Sequence, residues 1–166
     1  MIKTPLRGEP VRYEVDRDSG ALFVGRFLHA TMACPGNYGF IPQTRGADSG
    51  PLNVLVVGPT PIIPGAILRS QPIGVLVVVD KTGTEETIIA VPVQNLNPYH
   101  KNVTSYHDLP EILLKQITHF FEHYRDLDTG TRTKTIRWGE ADEAAQQITD
   151  AIAAEREALL MLGQDI

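Results

Sequence analysis

A single cysteine, Cys34, in 166 residues rules out an internal disulfide framework and fits a reducing compartment. Long apolar runs are missing too. Nothing approaches the ~20 residues of a membrane span, and the stretch from Met1 to Arg7 lacks the apolar core of a secretory leader. A cytoplasmic protein without a membrane partner is the expectation. There is no basic surplus: the net charge is −5, which argues against a nucleic-acid partner, because such proteins usually carry a basic face. A small anionic ligand stays open, since a few arginines inside a cleft set the local potential. Internal repeats, low-complexity tracts and linkers are absent, as are the His-Glu-x-x-His, Ser/His/Asp and Cys/His patterns.

What is present suffices for one domain. Hydrophobic residues make up 42% and charged residues 21%, an ordinary globular balance, so residues 1–166 are expected to form a single unit. The first two-thirds read as short strands with turn punctuation. Val11 to Val15 alternates apolar and polar residues, Asp18-Ser19-Gly20 is a turn signal, and Ala21 to Val24 returns as a hairpin partner. Leu52 to Val57 is a largely apolar strand interrupted by Asn53, after which Pro59, Pro61, Pro64 and Gly65 break the chain. Ala66 to Arg69 follows. Ile73 to Val79, β-branched and almost uninterrupted, reads as a strand buried on both faces. Lys81 to Thr84 is a hairpin turn leading into Thr87 to Val91, and such closely spaced antiparallel strands suggest a small barrel.

The last third is helical. Asp108 is the expected N-cap, with Pro110 in the first turn. Ile112, Leu113, Gln116, Ile117, Phe120, Phe121 and Tyr124 form one stripe at helical spacing, and Gly130 ends the stretch. A second helix is expected from Glu140 to Leu162, docking through Ala144, Ile148, Ile152, Leu159 and Leu162.

Several blocks, in order along the chain, resemble the soluble family I inorganic pyrophosphatases of the bacterial type. They are Val11 to Asp16, Ser19 to Phe27, Pro35 to Pro42, Pro72 to Leu76, Ala90 to Pro92 and His119 to Leu127, with Asp48-Ser49-Gly50-Pro51-Leu52-Asn53 ahead of an apolar strand. The resemblance implies an α+β fold: a small five-stranded OB-like β-barrel with two main C-terminal helices. It also implies a hydrolase for diphosphate that gathers Mg²⁺ around an anionic substrate. Asp48, Asp80 and Glu85 are implied as metal ligands. Arg12, Glu14, Arg26, Tyr38, Tyr124 and Arg125 are implied to bind substrate. Bacterial members assemble as hexamers, so a homo-oligomer with His119 and His123 at an interface is expected.

Several positions depart from the family pattern. Gly50 stands where the family has the aspartate that prepares the attacking water, so no general base is assigned. Asn53 stands where a carboxylate bridges two metals, and an amide offers only one neutral carbonyl oxygen. Lys3 replaces a glutamate, Thr87 a lysine and Cys34 a tyrosine, while Arg12 and Arg125 replace lysines. Arginine keeps anion binding but alters its geometry.

The expected main reading is therefore a pyrophosphatase homolog with an anion pocket, fewer Mg²⁺ ions than the family norm, and hydrolysis that is weak, lost or redirected to another ligand. The alternatives are a working Mg²⁺-dependent inorganic pyrophosphatase and a non-enzymatic structural or regulatory oligomer. Cys34 reads as a small buried apolar residue before it reads as a nucleophile.

Overall fold

Strand residues alternate between the two faces of a sheet, and here both faces are apolar at its centre. In the computed structural model, residues 1–16, 18–129 and 132–164 are described. Six strands share one sheet: β1 (Ile2–Thr4), β4 (Asn37–Phe40), β5 (Asn53–Val56), β6 (Ser70–Asp80), β7 (Gly83–Pro92) and β8 (Lys134–Gly139). Their spatial order is β1-β4-β5-β7-β6-β8, with β2 (Val11–Val15) and β3 (Leu22–Phe27) forming a separate hairpin. All neighbours are antiparallel except β5 and β7.

The α+β class is the one expected, but the strand count is higher than five. The strands not foreseen are short or polar: β1 has three residues, β4 reads Asn-Tyr-Gly-Phe, and β8 reads Lys-Thr-Ile-Arg-Trp-Gly. Neighbouring strands supply the pairing that local propensity does not. The β2–β3 and β6–β7 hairpins fall where the turn residues place them, and Val75, Leu76, Val77 and Val78 of β6 are all buried.

The two faces carry separate cores. Leu55, Leu76, Val78, Ile89 and Val91 point to one side and pack against Ile117, Phe120, Phe121 and Tyr124. Those four belong to helix α1 (Glu111–His123) and its C-cap. Val54, Val56, Val75, Val77, Ile88 and Ala90 point to the other side, against Ala144 and Ile148 of helix α3 (Ala141–Gln164). A register shift between Pro72 and Gly74 lets Ile73 share the α1 side with Leu76 despite their odd spacing.

Helix α1 begins later than expected. Asp108 caps a preceding 3₁₀ turn, Tyr106–Asp108, accepting hydrogen bonds from the Thr104 and Ser105 amides at 2.9 and 3.0 Å. Pro110 is the N-cap residue, and Leu109 before it is extended at ψ 150°. A residue preceding proline is driven out of the helical region, so the helix cannot start earlier. A short helix, α2 (Asp126–Thr129), follows α1, and the expected stop at Gly130 lies outside the described residues.

Helix α3 spans nearly the expected range but docks only in part. Ala144 and Ala151 are buried, whereas Leu159 and Leu162 are 59% and 65% exposed. Among the described residues, the last ion pair from α3 to the body is made by Glu155, whose Oε2 lies 3.0 Å from Arg45 Nε. Leu159 and Leu162 lie beyond it and stay exposed, which corrects the expectation that they dock.

Candidate active site

The site is the polar continuation of the sheet face that packs on α1. Asn53 precedes Leu55 by two residues, Asp80 follows Val78 by two, and Glu85 and Thr87 precede Ile89 by four and two. Alternation therefore carries all four onto that face. At the open end of this layer lies a cleft of about 660 Å³. Its lining includes Lys3, Arg12, Asp48, Gly50, Asn53, Asp80, Glu85 and Arg125.

Its walls are built differently. Asp80 and Gly83 are paired across the β6–β7 turn, and Asp80 Oδ1 accepts from the Thr82 amide at 2.7 Å and the Thr82 hydroxyl at 2.5 Å. The Thr82 hydroxyl, the Thr82 amide and, more weakly, the Arg125 guanidinium hold the Asp80 carboxyl below its usual range. Gly83 closes the turn at φ 138°, a region that side-chain-bearing residues rarely adopt.

Asp48 and Gly50 instead lie on a loop. Thr44 anchors it: its hydroxyl donates to Ile41 O at 2.6 Å and accepts from Leu52 N at 3.0 Å. Within the loop, Asp48 Oδ1 accepts from Gly50 N at 3.0 Å, and Ser49 sits at φ 64°.

The cations are already engaged with carboxylates. Arg125 reaches Glu85 Oε2 at 3.0 Å and Asp80 Oδ2 at 3.4 Å. Lys3 Nζ lies 2.5 Å from Glu14 Oε2, and Arg12 Nε lies 3.2 Å from Glu14 Oε1 without hydrogen-bond alignment. Glu14 can lean across its hairpin because Gly25 has no side chain; a Cβ there would come within 2.3 Å of Glu14 Cγ. The guanidinium of Arg12 lies 5.7 Å from the Tyr38 ring centre and that of Arg125 5.0 Å from the Tyr124 ring centre. Burial, with Glu85 nearby, pushes the Tyr124 hydroxyl up to about 12, and burial raises the Tyr38 hydroxyl still more strongly. Both phenols therefore stay protonated at neutral pH.

Several expected residues do not line the cleft: Glu14 is tied to it through its pairs with Lys3 and Arg12, and Tyr38 and Tyr124 line a smaller pocket together with Arg12 and Cys34. Arg26 pairs with Arg12 in the hairpin register, but its guanidinium is bound to Asp128, which also faces His29, and it does not line the cleft. Thr87 is only 1% exposed and is covered between Asn53 and Leu76. Cys34 sits in the α1-side core, and burial pushes its thiol up to about 11, which suits packing rather than nucleophilic attack. His119 and His123 are exposed, with ring centres 4.6 Å apart, and His123 Nδ1 lies 2.8 Å from Asp126.

Glu86 adds a carboxylate to the rim; the residue that sequence reasoning missed is Asn37. Asn37 is buried; its amide donates to Thr60 O at 2.9 Å and accepts from the Leu6 and Ile62 amides at 3.0 and 2.9 Å. Glu86 was visible as the neighbour of Glu85. Nothing in the sequence marks Asn37 as a clasp between three segments.

The donor set is open rather than a closed cage. Among the described residues, no three His, Cys, Asp or Glu side chains converge as a ready-made metal cage. Asp48, Asp80 and Glu85 nonetheless offer hard oxygens into one cleft beside anion-binding arginines. Mg²⁺ characteristically takes one or two carboxylates, keeps several waters and shares phosphate oxygens with its substrate. These residues fit such an ion.

Comparison with known proteins gives the family. The family model described as inorganic pyrophosphatase matches residues 1–156. A protein of Caulobacter vibrioides named inorganic pyrophosphatase is 54% identical over 152 residues, covering 92% of this chain and 86% of that one. One from Pseudomonas aeruginosa with the same name is 48% identical over 153 residues, covering 92% and 87%. Among solved structures, an inorganic pyrophosphatase of Helicobacter pylori superposes with a TM-score of 0.89 at 34% identity, over 93% of this chain and 91% of that one. With a family match across nearly its whole length, this chain belongs to the inorganic pyrophosphatase family.

Proposed function

We propose that the cleft binds diphosphate together with Mg²⁺ and hydrolyses it to two phosphates, more slowly than a site with carboxylates at positions 50 and 53. The observation that carries this reading is the meeting of Arg12 and Arg125 with Asp48, Asp80 and Glu85 in one cleft. The names of relatives up to 54% identical support the same chemistry.

Each residue then has a task. Arg12 and Arg125 grip phosphate oxygens through their planar forks. Tyr38 and Tyr124 back that grip by carrying the two guanidinium groups over their rings. Asp48, Asp80 and Glu85 would hold Mg²⁺, which would supply polarisation of a phosphoryl oxygen and a more acidic water. Asn53, whose amide nitrogen lies 3.4 Å from Glu85 Oε1, steadies that carboxylate without adding charge.

Position 50 is the weak point. Glycine there cannot accept a proton from the attacking water, and loss of a general base costs ~10²–10⁴ in rate. The adjacent carboxylate, Asp48, has Oδ1 committed to the Gly50 amide.

The chain is further proposed to act as one domain over residues 1–166 and to assemble as a homohexamer with His119 and His123 at a contact. Among the described residues no helix is long and apolar enough to cross a membrane.

A phosphate-release assay with Mg²⁺, Mn²⁺ or Zn²⁺ tests the function. Slow, metal-dependent turnover below the usual ~10–10³ s⁻¹ is expected. Release no faster than in buffer would remove hydrolysis, and turnover within that range would remove the penalty assigned to positions 50 and 53. The second reading, anion binding without turnover, is favoured by the guanidinium of Arg125 lying against both Asp80 and Glu85. Calorimetric binding of diphosphate without phosphate release would select it.

A further inference from the structure

Resting on that proposed chemistry, we propose that Arg125 is an exchange cation: it occupies the Asp80–Glu85 pair until a divalent ion displaces it, and is then free to grip the anion. The planar fork makes this specific to arginine. One nitrogen reaches Asp80 Oδ2 at 3.4 Å and the other reaches Glu85 Oε2 at 3.0 Å. The point charge of a lysine has no such fork. The side chain has a pivot, because the guanidinium lies over the Tyr124 ring and Tyr124 caps α1. It also has room, being about a quarter exposed at the cleft wall.

The consequences follow from charge. A divalent ion and a guanidinium compete for the same two carboxylates, so metal binding alone must break two ion pairs. Arg125, once displaced, lacks an anionic partner, and the phosphate groups of the substrate supply one. Metal and anion therefore strengthen each other's binding, and by linkage the factor is the same in both directions. Arg12 has a different partner, Glu14, and takes no part in the exchange.

Calorimetric titrations of the full chain with Mn²⁺ alone, with methylene diphosphonate alone, and with both test this. In wild type, Mn²⁺ strengthens diphosphonate binding by about fivefold or more. Arg125→Met should bind Mn²⁺ alone about fivefold tighter than wild type and lose most of that coupling. Arg125→Lys, which keeps the charge but not the fork, should keep diphosphonate binding and show part of the tightening for Mn²⁺. Arg12→Met should leave Mn²⁺ affinity within about twofold, as expected when no direct partner of the metal is removed.

Unchanged or weaker Mn²⁺ binding by Arg125→Met overturns the exchange. So does equal tightening in Arg12→Met, which would reflect only the loss of a nearby positive charge. A wild-type chain that binds neither Mn²⁺ nor diphosphonate overturns the exchange and the proposed hydrolysis together. A wild type that binds both and releases phosphate, with no tightening in Arg125→Met, overturns the exchange alone.

Discussion

The cleft has a strand-built wall and a loop-built wall, and they are held in place differently. Asp80, Glu85 and Asn53 stand on strands whose next residues on the same face form the core over α1. Asp48 and Gly50 stand on a loop fastened by Thr44 and by a turn inside itself. Side chains on the strand wall are positioned by burial elsewhere in the same strand. Those on the loop depend on a few hydrogen bonds. Of its three positions the strand wall carries carboxylates at Asp80 and Glu85 and an amide at Asn53. On the loop Asp48 carries a carboxylate, and Gly50 beyond its turn carries no side chain. A loop position tolerates substitution with little effect on the fold, because no core residue depends on it.

The largest expected effect comes from rebuilding both walls at once. Gly50→Asp with Asn53→Asp should raise phosphate release by ~10²–10⁴ if the rest of the site is competent. The backbone admits the first change: Gly50 is not at positive φ, and a Cβ there would meet Asp48 Oδ1 at 3.3 Å, so only that carboxylate must shift slightly. A phosphate-release assay on the double variant checks this. No gain would place the defect at Lys3, Cys34 or Thr87 instead.

Next in size is the core that supports the strand wall. Phe121 is 2% exposed and packs against Tyr38 and Tyr124, with ring centres 6.1 and 6.0 Å away. Phe121→Ala should cost about 3–5 kcal/mol in denaturant unfolding. It should also weaken diphosphate binding, because it loosens both tyrosines. The loop anchor should count for less. Thr44→Val removes two hydrogen bonds and costs about 1–3 kcal/mol. Phosphate release should fall more than melting temperature would suggest, because the lost bonds position Asp48. If Phe121→Ala and Thr44→Val impaired activity in proportion to stability, the distinction between the walls would fail.

How much of this was legible in the sequence follows the same division. The long strands β6 and β7 and the α1 stripe were readable because burial on a face imposes periodicity on composition. The convergence of Asp48, Asp80, Glu85, Arg12 and Arg125 was readable only through resemblance, since they come from five separate segments. The position of Arg26 was not readable. Its partner Asp128 is 102 residues away, and the choice between cleft and Asp128 is made by hairpin placement rather than by any local pattern. The start of α1 could have been read from Pro110 alone, since proline excludes helix at the residue before it.

A smaller effect concerns acid. The carboxyl of Asp80 is held below its usual range first by the Thr82 hydroxyl and amide, then by Arg125. Its folded-state pKa is below the unfolded one, so its contribution to stability is present above the unfolded value near ~4 and is lost as pH falls through the folded value. Asp80→Asn should therefore be less stable than wild type at neutral pH, with the gap closing as pH drops below about 4. Thermal melts across that range check it. A gap independent of pH would mean that the charge of Asp80 does not stabilise the β6–β7 turn.

The smallest effect is expected far from both walls, at the end of α3. Leu159, Leu160, Met161 and Leu162 are between 59% and 68% exposed, and they lie beyond residue 156, where the family match ends. In an isolated chain, Leu159→Ser with Leu162→Ser removes little burial and should change unfolding free energy by no more than about 0.5 kcal/mol, with phosphate release unchanged. That outcome makes the pair a control for the substitutions in the cleft and beneath it. A loss above about 1 kcal/mol that grew on dilution would mean that these side chains are covered by another copy in solution. Stability would then depend on protomer concentration, and the proposed hexamer would have to include this helix end in its contacts.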